Sequence, residues 1–324
     1  MRKLLNVCAL GLVMVAGSTG SVNAQDVLDG LYIKEHIPTK KVISYTYLRE
    51  ADVMWEKRIH RRIENHEKIN QPLFYPLTDL SDRQSLFSII KHHLYEEPGS
   101  LTMYYDYNPD NLNETDGLLF KYPLKFNPST LPLNKYTDLL NERFCVTPTP
   151  LPFISKVTGA DSTIPDPKDP TGMATLIVYD SASAKAAAEC ISPEDIVGWE
   201  LKEDWFFDKQ RSVMDVRIIG IAPIIYDIDR NTGKVRGTKR LFWIYYPELR
   251  YIIQNYFVYN RKNDAQRMSF DDLFWKRMFN SIVIKESNVF DRVITDYVDG
   301  VDALLESERI KKEMMEIEHD MWDL

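Results

Sequence analysis

Between Ser212 and Ile228 the chain reads SVMDVRIIGIAPIIYDI, a run whose apolar members are mostly β-branched. Val213, Val216, Ile218, Ile219, Ile221, Ile224, Ile225 and Ile228 trace no stripe at the 3.6-residue period, so the run reads as a buried strand. Pro223 cannot donate to a ladder, which places a bulge or a sheet edge at that point. The following DRNTGKVRGT supplies turn chemistry through Asn231, Thr232 and Gly233, and KRLFWIYYP returns as a second strand, making a β-hairpin. Pro247 then opens a helix, ELRYIIQ, because its missing N–H is no loss in a first turn.

These residues also carry a likeness to known proteins. VMDVRIIGIAPIIYD followed by LFWIYYPELR resembles the gliding-motility protein N family of Bacteroidetes, also called PorN. The resemblance continues through NDAQRMSFDDLFWKRMFNSIVIKESNVFDRVITDYVDGVDALLESERIKKE, and earlier through WEKRIHRRIENHEKINQPLFYP with RQSLFSIIKHHL. It implies a non-enzymatic part of the type IX secretion machinery, working in the periplasm. It further implies a higher-order, ring-shaped assembly with an outer-membrane lipoprotein subunit, and contact with inner-membrane motor subunits.

The N-terminus agrees with export. Arg2 and Lys3 precede an apolar run from Leu4 to Ala16, and Val22-Asn23-Ala24 offers small residues for cleavage, so residues 1–24 read as a signal peptide. Cleavage takes the formal charge from −8 to −10 by removing Arg2 and Lys3, an acidity that argues against a nucleic-acid partner. No later segment reaches the roughly 18 uninterrupted apolar residues of a spanning helix, and the resemblance implies attachment to a membrane through partners. Cys145 and Cys190 either pair, as an oxidising compartment allows, or stay as partly buried thiols.

The pass along the chain gives an α+β protein of helices and short, mainly antiparallel strands. Residues 25–48 read as an extended arm and 49–146 as an N-terminal α+β half. Within that half, Met54, Trp55, Ile59 and Ile63 suggest a helix over Glu50–Ile69, its Lys57, Arg58, Arg61 and Arg62 forming a solvated or partner-facing basic face. Ser81 and Gln84 suggest a capping box before LFSIIKHHLY, and LTMYYDY with LLFKYPL a strand pair. Six prolines between Thr147 and Gly172 mark a linker or surface loop without regular structure. In the C-terminal half, 173–324, Thr175–Tyr179 reads as a strand and Ser183–Cys190 as a turn or two of helix. Ser269 with Asp272 caps a helix, SIVIKES is a strand, and Asn288 with Asp291 starts a long terminal helix whose apolar face ends at Leu304 and Leu305.

Two groups are candidate partner-facing residues. Trp199, Trp205 and Phe206 alternate with charge, a pattern that fits a half-exposed strand and serves either core packing or an interface. Ile310, Met314, Ile317 and Met321 form a narrow seam on a charged helix, docking on the same chain or on a partner.

Chemistry-bearing motifs are few. Asp227-Ile228-Asp229-Arg230-Asn231-Thr232-Gly233 resembles the opening of a calcium loop, but Thr232 stands where that loop needs glycine and Thr238 where it needs glutamate, so a hairpin turn is the better reading. His36, His60, His66, His92, His93 and His319 form no H-E-x-x-H pair, and no P-loop, G-x-S-x-G or G-x-G-x-x-G occurs. Neither a cofactor nor a metal is expected. The competing reading is a periplasmic enzyme with a dispersed site, or a small-ligand-binding protein, with polar groups converging in a deep pocket.

Overall fold

The computed structural model describes residues 41–80, 83–108, 111–115, 119–146, 163–165, 175–177, 189–229, 234–261, 263 and 265–322. All of these residues fall within one compact unit, Lys40–Leu324. The expected signal peptide and most of the expected arm lie outside the described residues, so the fold is that of this unit.

Strand β1 (Val53–Glu64) precedes the one-turn α1 (Gln71–Phe74) and α2 (Leu86–Tyr95). Then come β2 (Met103–Tyr105), β3 (Tyr107–Asn108), β4 (Asn111–Thr115), β5 (Tyr122–Leu124) and α3 (Leu133–Phe144). Four short strands follow: β6 (Cys145–Val146), β7 (Thr163–Pro165), β8 (Thr175–Ile177) and β9 (Glu189–Cys190). The long β10 (Ile196–Asp208) and β11 (Val213–Ile228) lead to β12 (Val235–Arg240), β13 (Trp243–Tyr245) and α4 (Tyr246–Ile253). The chain closes with β14 (Phe257–Val258), β15 (Met268–Ser269), α5 (Phe270–Trp275), β16 (Ile282–Glu286) and α6 (Val301–Trp322).

Eight strands form one antiparallel sheet in the order β16-β1-β10-β11-β13-β2-β5, with β12 also on β11. Strands from both sides of the proline-rich segment therefore share one sheet. Its core face, with Trp199, Leu201, Ile221 and Ile244, packs in one cluster with Phe87 and Ile90 of α2, Tyr136 and Leu140 of α3, Leu249 of α4 and Phe274 of α5.

The α+β class and the central strand are as the sequence suggests, and Pro223 explains itself. Its carbonyl accepts from the N–H of Leu241 at 3.0 Å, so its missing N–H falls on the side where the returning chain breaks between β12 and β13. KRLFWIYYP is thus split over two strands. Pro247 does lie in the first turn of α4, and the Ser269–Asp272 capping box is made, with Ser269 Oγ accepting from the Asp272 N–H at 3.1 Å.

Several expectations are corrected. The helix read over Glu50–Ile69 is strand β1, paired with both β10 and β16. Trp55, Ile59 and Ile63 are four apart, a spacing that satisfies a period of two as well as a helix, and the neighbouring strands decide between them. The cap of α2 is Ser85, whose side chain accepts from the Ser88 N–H at 3.1 Å; Ser81 lies outside the described residues. Part of the proline-rich segment is regular, since β7 pairs with β8, and Glu189–Cys190 is strand where helix was suggested; the rest of both stretches lies outside the described residues.

The terminal helix starts later than expected. Asn288 Oδ1 accepts from the backbone N–H groups of Phe290 and Arg292, both at 3.1 Å, holding a turn in place of a helix start. Gly300, at φ +65°, sits just before α6. Leu304 and Leu305 are exposed, while Ser307, Ile310 and Met314 face inward, so the buried face of α6 is the one the sequence assigned to the seam.

Candidate functional site

Opposed residues of an antiparallel pair share a face, so Arg58, His60 and Arg62 of β1 stand beside Asp204, Lys202 and Glu200 of β10. Glu200 is the hub of this charged face. It lies 3.2 Å from His60 Nδ1 and accepts from Arg240 Nη1 at 2.8 Å, while Arg240 Nε is 3.5 Å from Asp106 Oδ2. Burial holds the His60 imidazole below its ordinary pKa despite the upward pull of Glu200. Burial also pushes Glu200 up, but the hydrogen bonds and charges of His60 and Arg240 win and hold it below the usual carboxylate value. A neutral imidazole therefore donates Nδ1–H to an ionised carboxylate. The ring meets Trp243 edge-on at 6.0 Å and is only 3% exposed.

A second network lies on the opposite face. Glu203, fully buried, accepts from Arg277 at 2.9 and 3.1 Å and from Trp205 Nε1 at 2.9 Å, with Arg61 Nε at 3.2 Å. Both guanidiniums lie over the Trp205 ring, at 5.3 and 5.2 Å. A third pair, Arg250 with Asp271 at 2.7 and 3.2 Å, is covered by Tyr45 and Trp275, whose rings lie 4.6 and 4.9 Å from the guanidinium.

Chemically these are closed networks: each buried carboxylate is matched by a cation already in contact. A histidine oriented by a carboxylate is half of a nucleophile-activating arrangement, yet His60 is sealed from solvent and Glu200 is shared with Arg240. Three cavities, of about 330, 660 and 400 Å³, open elsewhere, and neither His60 nor Glu200 lines any of these three. Among the described residues no three His, Cys, Asp or Glu side chains converge as a metal site.

Comparison with known families settles what kind of chain carries these networks. The family model described as "Gliding motility associated protein GldN" matches residues 48–323. The chain belongs to the GldN family. No curated protein matches it.

In this GldN-family chain the residues singled out from the sequence fall mostly inside. Trp199 and Phe206 are buried in β10, which is covered on both faces, correcting the half-exposed reading of that strand. Trp205 is half-buried under Arg61 and Arg277. Ile310 and Met314 pack on Ile59, Val283 and Ile294 of the same chain, with Ile317 and Met321 half-buried. Cys145 and Cys190 stand opposite each other in the β6–β9 ladder and are disulfide-bonded, which closes the free-thiol alternative.

In the calcium-like string, Arg230–Gly233 lies outside the described residues. The flanking Asp229 donates its N–H to Lys234 O at 2.9 Å and pairs with Arg236 at 2.9 Å, as a hairpin requires. Sequence reasoning missed the Glu200 and Glu203 networks because it took β1 for a helix. The available signal was the period-two alternation of Arg58, His60 and Arg62 against Ile59 and Ile63.

Proposed function

We propose that this chain is a non-enzymatic structural subunit of the type IX secretion and gliding-motility machinery. It works in the periplasm, held at the outer membrane by a lipoprotein subunit with which it builds a ring-like complex, and it meets the periplasmic domains of inner-membrane motor subunits. The match to the GldN family over residues 48–323 carries this reading. The Cys145–Cys190 disulfide supports an oxidising compartment. No helix of the described residues is long and apolar enough to cross a membrane, which is consistent with attachment through a partner. Buried carboxylates already neutralised by arginines support a scaffold better than a reaction centre.

The test is isolation of the native protein from the cell envelope, with mass determination and identification of what travels with it. Co-purification with an outer-membrane lipoprotein in a large particle is expected, whereas a lone monomer would overturn the assembly reading. A secretion assay on alanine variants of His60, His66, Asp227, Asp229, Asp271 and Cys145 tests the non-enzymatic part. Lost secretion by a folded, still assembled variant would speak for chemistry.

A further inference from the structure

Two exposed patches of this chain match each other in both charge and hydrophobicity. The first follows β16 and continues into the first turns of α6, where Val289 is 97% exposed, and Phe290, Val301, Leu304 and Leu305 are also solvent-facing. Residues 286–306 around them hold six carboxylates against one arginine. Lys57, Lys285 and Arg309 pair with Glu286, Asp291 and Glu306, which leaves the acidic excess on exposed Asp296, Asp299 and Asp302.

The second patch is the outer hairpin of β11 and β12. Ile228 pairs with Val235 and Tyr226 with Thr238, so Tyr226, Ile228 and Val235 share one face, and all three are exposed. Residues 226–239 carry two carboxylates against four lysines and arginines, while the next residue, Arg240, turns inward to Glu200 and Asp106. Arg236 and Lys239 are exposed, though Arg236 also pairs with Asp229. Among the described residues, β12 pairs only with β11.

Within one chain the patches are held apart. Strands β1, β10 and β11 lie between β16 and β12. The acidic patch leaves the sheet at the Arg58 level of β1, where the Ser287 N–H donates to Arg58 O at 2.9 Å, while the hairpin stands by Arg62, whose Nη1 donates to Thr238 at 3.0 Å. Apolar surface of this kind marks contact sites. Like charge disfavours either patch meeting its own copy, and opposite charge favours each meeting the other.

We propose that a second copy of this chain docks its β11–β12 hairpin on the acidic apolar patch at the start of α6. The contact joins unlike surfaces, so it repeats head to tail and builds a ring if the rotation closes, or a filament if it does not. The inference rests on the structural-subunit reading above and adds the surfaces through which copies join.

Charge swapping tests it on the full mature chain, by sedimentation with the lipoprotein subunit absent and thermal melting as the fold check. Wild type should self-associate in a concentration-dependent way. Asp299→Lys/Asp302→Lys and Arg236→Glu/Lys239→Glu should each melt like wild type and weaken association by about tenfold or more, since each sets like charge against like. Mixing the two variants should restore association, because each then presents the complement the other needs. A wild type that stays monomeric, variants that associate undiminished, or a mixture that stays apart would overturn the proposal. Binding of the lipoprotein subunit, measured separately in the same samples, tells this failure from failure of the subunit reading.

Discussion

Ser307 Oγ, on α6, accepts a hydrogen bond at 2.9 Å from the backbone N–H of Val283 on β16, and both residues are buried. The C-terminal helix thus seals the outer edge strand of the sheet, with Ile310 and Met314 covering Ile59, Val283 and Ile294. Ser307→Ala would leave a buried N–H unpaired, costing about 1–3 kcal/mol. Deleting 307–324 would also uncover that small core, so calorimetry should find a much lower melting temperature. A deletion variant that melts like wild type would remove α6 from the fold.

The Cys145–Cys190 bridge closes a loop with a sequence separation of 45. Chain entropy assigns a loop of that size about 4 kcal/mol of stabilisation at most. Cys145→Ser/Cys190→Ser should therefore lower the denaturant midpoint, and reductant should lower it in wild type and leave the variant unmoved. Equal midpoints for the two proteins would mean that the bridge does not stabilise the fold.

Arg250 is almost fully buried against Asp271. Arg250→Leu keeps much of the volume and strands a buried carboxylate, which should destabilise by about 3–5 kcal/mol. Arg250→Leu/Asp271→Leu should recover most of that loss. A double variant as unstable as the single one would place the cost in the lost stacking with Tyr45 and Trp275.

Stability should fall in two stages on acidification. Burial depresses the pKa of His60 and His93 from the ordinary 6.5, so the unfolded chain takes up protons first and their contribution, complete above about 6.5, declines below it. Glu200 is held below its ordinary 4.5, so its contribution persists above that value and is lost as pH drops through its lower folded pKa. His60→Gln should flatten the first stage and His93 should keep part of it. Melting temperatures at stepped pH read both, and a flat profile between pH 7 and 5 would contradict the burial of these imidazoles.

Gly198 in β10 has no room for a methyl group: a Cβ there would stand 2.3 Å from the carbonyl oxygen of Ile63. Backbone cannot yield as a side chain does, so Gly198→Ala should cost about 1–3 kcal/mol through strand separation. Gly237→Ala, with open space around the new Cβ, is the matched control and should melt close to wild type.

What the sequence alone determined is what a few neighbouring residues enforce. The β-branched run of β11, the proline opening α4, the Ser269–Asp272 box and the turn-bounded strands β2 and β5 rest on local sterics and short-range hydrogen bonds, so they were readable without partners. In β10 the stretch around Trp199, Trp205 and Phe206 was visible as a strand, but its burial was not, because alternating charge looks solvated until arginines from distant segments arrive. Only the tertiary structure decided that β1 is a strand, since a four-residue apolar spacing satisfies both periods and its neighbours β10 and β16 break the tie. It also decided which side of α6 is buried. Glu200 and Glu203 gained their meaning from residues 140 and 74 positions away, a distance at which long-range packing, not local propensity, fixes where a side chain ends.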